Sequence, residues 1–206
     1  YADFSTLRSF WFWGAANSVI GHFGNLSPAG PSSPHARSVM ADVQAVLRLN
    51  VSSCKLVLAI PSSGVAWKLP STPSSPSFPS FYNVGTSTAV ANGSDTGFYV
   101  DVDMLRPGSG WMTVWDPIAQ ASVYYNSSTR VLVTYESVQS VNAKVQYALN
   151  NNMAGIFVDD SNSDMKYNMI ASTAFNKIQS SSCPKTSAGG SAPLTAGPST
   201  SSSSSN

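Results

Sequence analysis

The stretch MAGIFVDD, residues 153–160, runs a short apolar segment into two adjacent carboxylates, Asp159 and Asp160. Paired carboxylates at the end of a buried strand are the residue types that perform general acid–base work. Other acidic groups are few. Glu136 is the sole glutamate, and Asp101-Val-Asp103 is the only other close acidic pair. The histidines His22 and His35 lie far from the cysteines Cys54 and Cys183, so no metal site is expected. No motif for a cofactor is present, and none is expected.

Those residues must be held by something, and the composition bounds what it is. The chain of 206 residues is 42% hydrophobic and only 10% charged, with a net charge of +1. It can bury a core. It has no basic footprint for nucleic acid and no stretch of eighteen apolar residues to span a membrane. Ser, Thr and Asn cover the surface that charged residues usually cover. Asn50, Asn92 and Asn126 open N-x-S sequons, and so does Asn25, which Pro28 follows closely. Sequons with low charge predict a secreted, extracellular glycoprotein of the cell surface or wall. In that compartment Cys54 and Cys183 are expected to form one disulfide.

The positioning elements are read from periodicity. The aromatic stretch 3–13 reads as a buried strand. Residues 38–49 place Val39, Val43, Val46 and Leu47 on one helical face. KLVLAIP, 55–61, and AGIFV, 154–158, are continuous apolar runs, the pattern of parallel strands buried on both faces. Residues 97–136 break into short strands with turn signals, and Asn126 opens a hairpin turn. Helices are predicted over 140–150 and 163–179, the second with Met165, Met169, Ile170, Ala174 and Ile178 inward. Residues 184–206 are a Ser-rich flexible tail. This is an α/β order of three βα units. Three parallel strands leave two open edges, so they predict part of a larger domain.

The same segments resemble glycoside hydrolase family 18, the chitinases and chitinase-like lectins. Asp3-Phe4 followed by SFWFWG is similar to the family's D-F-x-x-x-x-x-Y-D-x-x-G, and Gly21-His22 to the G-H after it. KLVLAIPSSGVAW resembles K-L-V-L-G-I-P-F-Y-G-R-S-W. Trp115-Asp116 and Tyr124 resemble the W-D and Y of the insertion. VTYESVQSVNAKVQYA resembles V-S-Y-D-D-P-x-S-I-x-x-K-V-x-Y-A, and MAGIFVDD resembles L-G-G-V-M-V-W. The resemblance implies a partial TIM (β/α)8 barrel, sixth to eighth βα units, with an α+β insertion after the seventh strand. Barrel units would occupy 1–67 and 133–183, with the insertion at 68–132. The remainder of the barrel would come from an upstream segment or another chain. It also implies a chitin-like or cell-wall glycan as partner.

The family's signature D-G-x-D-x-D-x-E lies outside this chain, and family site positions differ. Its Tyr-Asp is Phe10-Trp11 here, the Tyr and Arg of F-Y-G-R are Ser63 and Val65, and the Trp of the eighth strand is Asp159. These departures predict a catalytically inactive module, structural or carbohydrate-contacting, with no catalytic residue in the chain. Asp159-Asp160 then reads as the remnant of a lost site, Asp160 capping the next helix. Trp67, Trp11, Asp159 and Tyr135 are the candidate carbohydrate contacts. Two other readings stand: the C-terminal half of an active chitinase whose acid lies on an N-terminal segment, and an unrelated secreted α/β structural domain.

Overall fold

The computed structural model describes residues 2–13, 20–29, 36–75, 81, 88–89, 99–101, 110–160 and 162–180. Three strands, β1 (Ser5–Leu7), β2 (Leu56–Pro61) and β9 (Gly155–Asp159), form a parallel sheet in the order β1-β2-β9. The second sheet is antiparallel. It holds β3 (Ser63–Lys68), β4 (Thr88–Ala89), β6 (Trp111–Asp116), β7 (Ala121–Asn126) and β8 (Val131–Tyr135), in the order β4-β3-β8-β7-β6, and β5 (Tyr99–Asp101) also pairs with β3. Only Ser62 separates β2 from β3. The chain therefore passes straight from one sheet into the other.

The helices α1 (Val39–Leu47), α2 (Val138–Asn150) and α3 (Met169–Ser180) form where apolar residues repeat at helical spacing. Each has a polar start. Ser38 Oγ accepts from Ala41 N, and Ser137 with Ser140 makes a reciprocal capping box on α2. Asp164 supplies both oxygens to the first turn of α3, accepting from Ile170 N at 3.0 Å and Ala171 N at 2.8 Å.

All three helices lie on one face of the parallel sheet. Leu7, Leu58 and Ile156 pack with Val39, Val43 and Ala148, while Ile60, Ile156 and Val158 pack with Val141, Val145, Ile170 and Ala174. Alternation along a strand sends the intervening residues to the other face. These are Thr6, Val57, Ala59, Gly155, Phe157 and Asp159, with Arg8 just beyond β1. Among the described residues no helix covers this second face. Phe157 is 47% exposed, and a Cβ placed on Gly155 would meet nothing within 4 Å. Near Ala59 the face is covered by an aromatic core that joins the two sheets: Phe10, Phe12, Trp13, Ile20 and Phe23 meet Val65, Trp67, Phe81, Val123, Tyr125 and Leu132. Burying each such large side chain stabilises by about 1.5–3 kcal/mol.

The expected strand over 3–13 is shorter than the aromatic density suggests. Pairing with β2 stops at Leu7↔Leu58. Beyond it the chain folds back on its own loop, where Phe12 N bonds to Phe23 O at 3.1 Å, and Trp11 adopts a positive φ of 62°. The aromatics fill a core rather than a strand. The last helix also starts later than expected, at Met169. Residues Asn162–Asp164 form a 3-10 turn instead, and Met165 is 63% exposed.

Candidate functional site

The carboxyl ends of β1, β2 and β9 meet Arg8, Ser62, Asp159 and Asp160. Arg8 and Asp159 sit two strands apart on the same uncovered side, so their side chains meet across β2. Arg8 Nε lies 2.5 Å from Asp159 Oδ2. This is a charge pair by distance, but the N–H is not aimed at the oxygen, and Oδ2 is left without a hydrogen bond. The guanidinium lies 5.5 Å from the ring centroids of both Phe10 and Trp11, within cation–π range. Ser62 ties the end of β2 to β9, its N–H bonding Asp159 O at 2.7 Å and its hydroxyl donating to the Asp160 carbonyl. Asp160 Oδ1 accepts from Ser163 N at 3.0 Å. The two aspartates thus differ: Asp159 faces Arg8 across the sheet end, and Asp160 caps the turn that follows.

Of the four expected sugar contacts, Trp11 and Asp159 come together here, bridged by Arg8, which sequence reading did not single out. Trp67 does not join them. Its ring is 0% exposed, packed between the aromatic loop and the antiparallel sheet. No face is open to a sugar, and the expectation for Trp67 is corrected to a core residue. Tyr135 ends β8, half-buried, with its hydroxyl 3.4 Å from Thr113 Oγ1 and its ring packed edge-on to Tyr124. Burial pushes its phenol up. The Thr113 bond opposes this, and Tyr124 and Glu136 add to it.

Two buried polar pairs support this end of the molecule. Glu136, directly after β8, pairs with Lys144 of α2 and accepts from Ser140 Oγ at 2.7 Å. Both ends of the ion pair are almost wholly buried, and Gly24 closes over them. A Cβ at Gly24 would lie 3.3 Å from Glu136 Oε1 and 3.4 Å from Lys144 Nζ. The single glutamate is therefore a structural charge. The second pair is His22 with Asp116, Nε2 to Oδ2 at 3.1 Å, both buried. Asp116 Oδ1 also accepts from Ile118 N and Ala119 N. Burial raises the Asp116 carboxyl, but the His22 bond, the Ala119 N–H, the His22 charge and the Ile118 N–H together outweigh it and hold the carboxyl below its usual range. An ionised Asp116 only accepts, so its bond to His22 requires the proton on Nε2. Sequence reading saw the residues of both pairs but not the pairing, because Lys144 stands eight residues past Glu136 and Asp116 ninety-four past His22.

The expected modification sites divide. Asn50 is exposed after α1. Asn126, expected at a solvent-facing hairpin tip, is only 5% exposed, which corrects that expectation, and Asn25 is 2% exposed. Asn25 Nδ2 donates to Ser27 O and Arg37 O, and Asn126 Oδ1 accepts from Thr129 N inside its hairpin. Both amides are used by the backbone around them. Asn92, Asp103 and Cys183 lie outside the described residues, and Cys54 is exposed and free. Among the described residues no cluster of His, Cys, Asp or Glu could hold a metal, and no helix is long and apolar enough to cross a membrane.

Comparison with known proteins gives this arrangement a family. The chain is 26% identical over 164 residues to the chitinase of Autographa californica nuclear polyhedrosis virus, covering 77% of this chain and 29% of the viral protein. Its fold matches the class V chitinase from Nicotiana tobaccum at a TM-score of 0.71 and 21% identity, covering 85% of this chain and 48% of that one. It also matches the GH18 chitinase from Cycas revoluta, solved with (GlcNAc)3, at 0.66 and 22% identity, covering 85% and 47%. The chain thus spans under a third of the viral relative and about half of these solved chains. These findings overturn the expectation of a module outside the enzymes. Relatives and fold neighbours are named as chitinases. What the strand ends lack says nothing about an acid that the family carries on a different strand. The model of the glycosyl hydrolases family 18 matches residues 1–164, and the chain belongs to that family.

Proposed function

We propose that residues 1–183 are the sixth to eighth βα units of a family 18 (β/α)8 barrel, with the antiparallel sheet as its α+β insertion. In this reading the domain hydrolyses a chitin-type glycan, and its general acid stands on a barrel strand outside this chain. The observation that carries the reading is the one-sided sheet. Helices α1, α2 and α3 cover one face of β1-β2-β9, while Thr6, Arg8, Phe157 and Gly155 stand on a face that helices leave open. A doubly wound sheet has helices on both faces. A barrel has them only outside, and its strands fill the interior with layered side chains. Barrel enzymes place their sites at the carboxyl ends of the strands, which here means Arg8, Trp11, Ser62 and Asp159. The Cycas neighbour solved with (GlcNAc)3 supports the ligand class.

This chain's own residues would bind and orient. Trp11 is 54% exposed and offers an apolar ring, and Arg8 and Asp159 offer a donor and an acceptor beside it. The acid and the substrate-assisted step belong to the rest of the domain. The reading extends to secretion, with Asn50 as the modified sequon. The test is turnover of a fluorogenic chitobioside by the full-length protein. Turnover that is lost on replacing the acid of the fourth strand supports the reading. Absence of turnover together with absence of binding to (GlcNAc)4 contradicts it.

A further inference from the structure

We propose that the outer edge of β6 is a self-association surface, pairing antiparallel with β6 of a second copy of this chain about a two-fold axis at Thr113. In the antiparallel sheet β6 ends the strand order and has one neighbour among the described residues, β7. The far side of an edge strand turns the N–H and C=O of every second residue outward, and such edges are normally blunted by shortness, proline, lysine, a bulge or a covering segment. The opposite edge of this sheet is blunted in that way, since β4 is two residues long. By contrast, β6 runs for six residues, WMTVWD, without proline or lysine and in unbroken register with β7. Its one charge, Asp116, stands at the very end and is turned to His22. It is also the more open strand of the two. β7 is buried at all six positions, whereas Met112 is 40% exposed, Thr113 is exposed, and Trp111, Val114 and Trp115 are half-buried.

The side chains select the partner. Trp111, Thr113 and Trp115 share one face of the sheet, and Met112 and Val114 share the other. A two-fold axis perpendicular to the sheet keeps like faces together, so one residue must stand opposite its own copy. Centred on Thr113, Trp111 faces Trp115 of the second copy and Met112 faces Val114, apolar against apolar at each pair. Centred on Val114 instead, Met112 would face the Asp116 carboxylate and Trp111 would face Pro117, which has no N–H to give. The Trp111 ring is already stacked on Tyr124, with centroids 4.7 Å apart and planes within 10°, so the paired tryptophans extend an aromatic row that is in place. Charge does not oppose the pairing. No residue from Trp111 to Trp115 is charged, and the chain carries a net +1 with only 10% charged residues, a balance that favours association. Arg8, Trp11 and Asp159 take no part.

The experiment is sedimentation equilibrium of the full-length protein, for wild type, Thr113→Lys, Thr113→Glu and an equimolar mixture of the two variants. The wild type is expected to dimerise as its concentration rises. In either variant alone, like charges stand opposite each other on the axis, and the dissociation constant should rise about 10- to 100-fold. Melting temperatures of the dilute proteins should stay unchanged, because Thr113 is exposed. Mixing the variants sets an ammonium against a carboxylate and should restore the dimer to near wild-type affinity. A wild type that stays monomeric up to about 1 mM, whether its edge is bare or takes a strand of a different protein, overturns self-pairing. Dimers that persist unweakened in both variants overturn the assignment to β6. Variants that stay apart when mixed overturn pairing about Thr113.

Discussion

The two sheets of this chain solve burial in opposite ways. The antiparallel sheet closes on an aromatic core made within the chain: Trp67, Phe81, Val123 and Leu132 are all 0% exposed. The parallel sheet buries Leu58 and Ile60 under its helices but leaves Phe157 in water, in the middle of an apolar strand. Parallel strands are normally covered on both faces. On the reading proposed above, the contrast makes the antiparallel sheet an energetically self-contained insertion and the parallel strands one side of a larger interior. The Glu136–Lys144 pair sits between the two regions, under the loop that carries Gly24.

Matched truncations in the two sheets break or sharpen this comparison. Trp67→Ala removes a fully buried ring and should cost about 3–5 kcal/mol, both in residues 1–183 alone and in the full-length protein. Phe157→Ala should cost under about 0.5 kcal/mol in the short chain, as an exposed position does. In the full-length protein it should cost about 3–5 kcal/mol. Chemical denaturation of both lengths checks this, and equal cost of Phe157→Ala in the two contexts would end the distinction.

Lys144→Met should cost a similar amount, about 3–5 kcal/mol, because it strands a buried carboxylate. Replacing Glu136 by Leu as well should restore most of that stability, since a volume-matched apolar pair avoids burying the charges. A double mutant as unstable as the single would mean that Gly24 and Ser140 depend on the charges themselves.

A smaller effect concerns pH. The folded Asp116 carboxyl lies below its unfolded value of 3.8, so its contribution is present above that value and is lost as pH falls through the folded one. Asp116→Asn should cost roughly 1–3 kcal/mol at neutral pH. Its stability should fall less steeply than that of the wild type below about pH 4. Parallel acid limbs would remove His22–Asp116 from the account. The smallest effect is on modification: protein from its native source should carry a glycan on Asn50 and none on Asn25 or Asn126, read by peptide mass spectrometry. Occupied Asn126 would contradict its burial.

What the sequence showed followed from short-range physics. The run LVLAIP is apolar at every position and GIFVD at every position before its closing Asp159, and both are parallel strands; the 3.6-residue spacing of Val141, Val145 and Ala148 marks a helix that is there. What stayed hidden depends on distance. Aromatic density at 10–13 looked like a strand because nothing local shows that Phe12 bonds back to Phe23. A sequon carries no record of burial, so Asn126 looked like a surface position. Trp67 keeps the family's aromatic but is enclosed by residues from several separate segments. Arg8 sits in a stretch whose aromatics drew the attention. Its pairing with Asp159 shows only when β1 and β9 are placed on either side of β2. The expectation of inactivity rests on a signature missing from this chain and on substitutions at strand ends; the first is silent about an acid that the family carries on another strand, and the second bears on binding.

The central claim is that the carboxyl ends of β1, β2 and β9 form the floor of a glycan cleft. Hydrogen–deuterium exchange of the full-length protein, with and without (GlcNAc)4, tests it most directly. The account predicts slowed exchange at residues 7–11, 62–64 and 159–163 on adding the tetramer, with the β6–β7 turn at 117–120 unchanged. Binding that leaves those three segments unaltered, or that protects the opposite ends of the strands near 55–57 and 153–155, would contradict it.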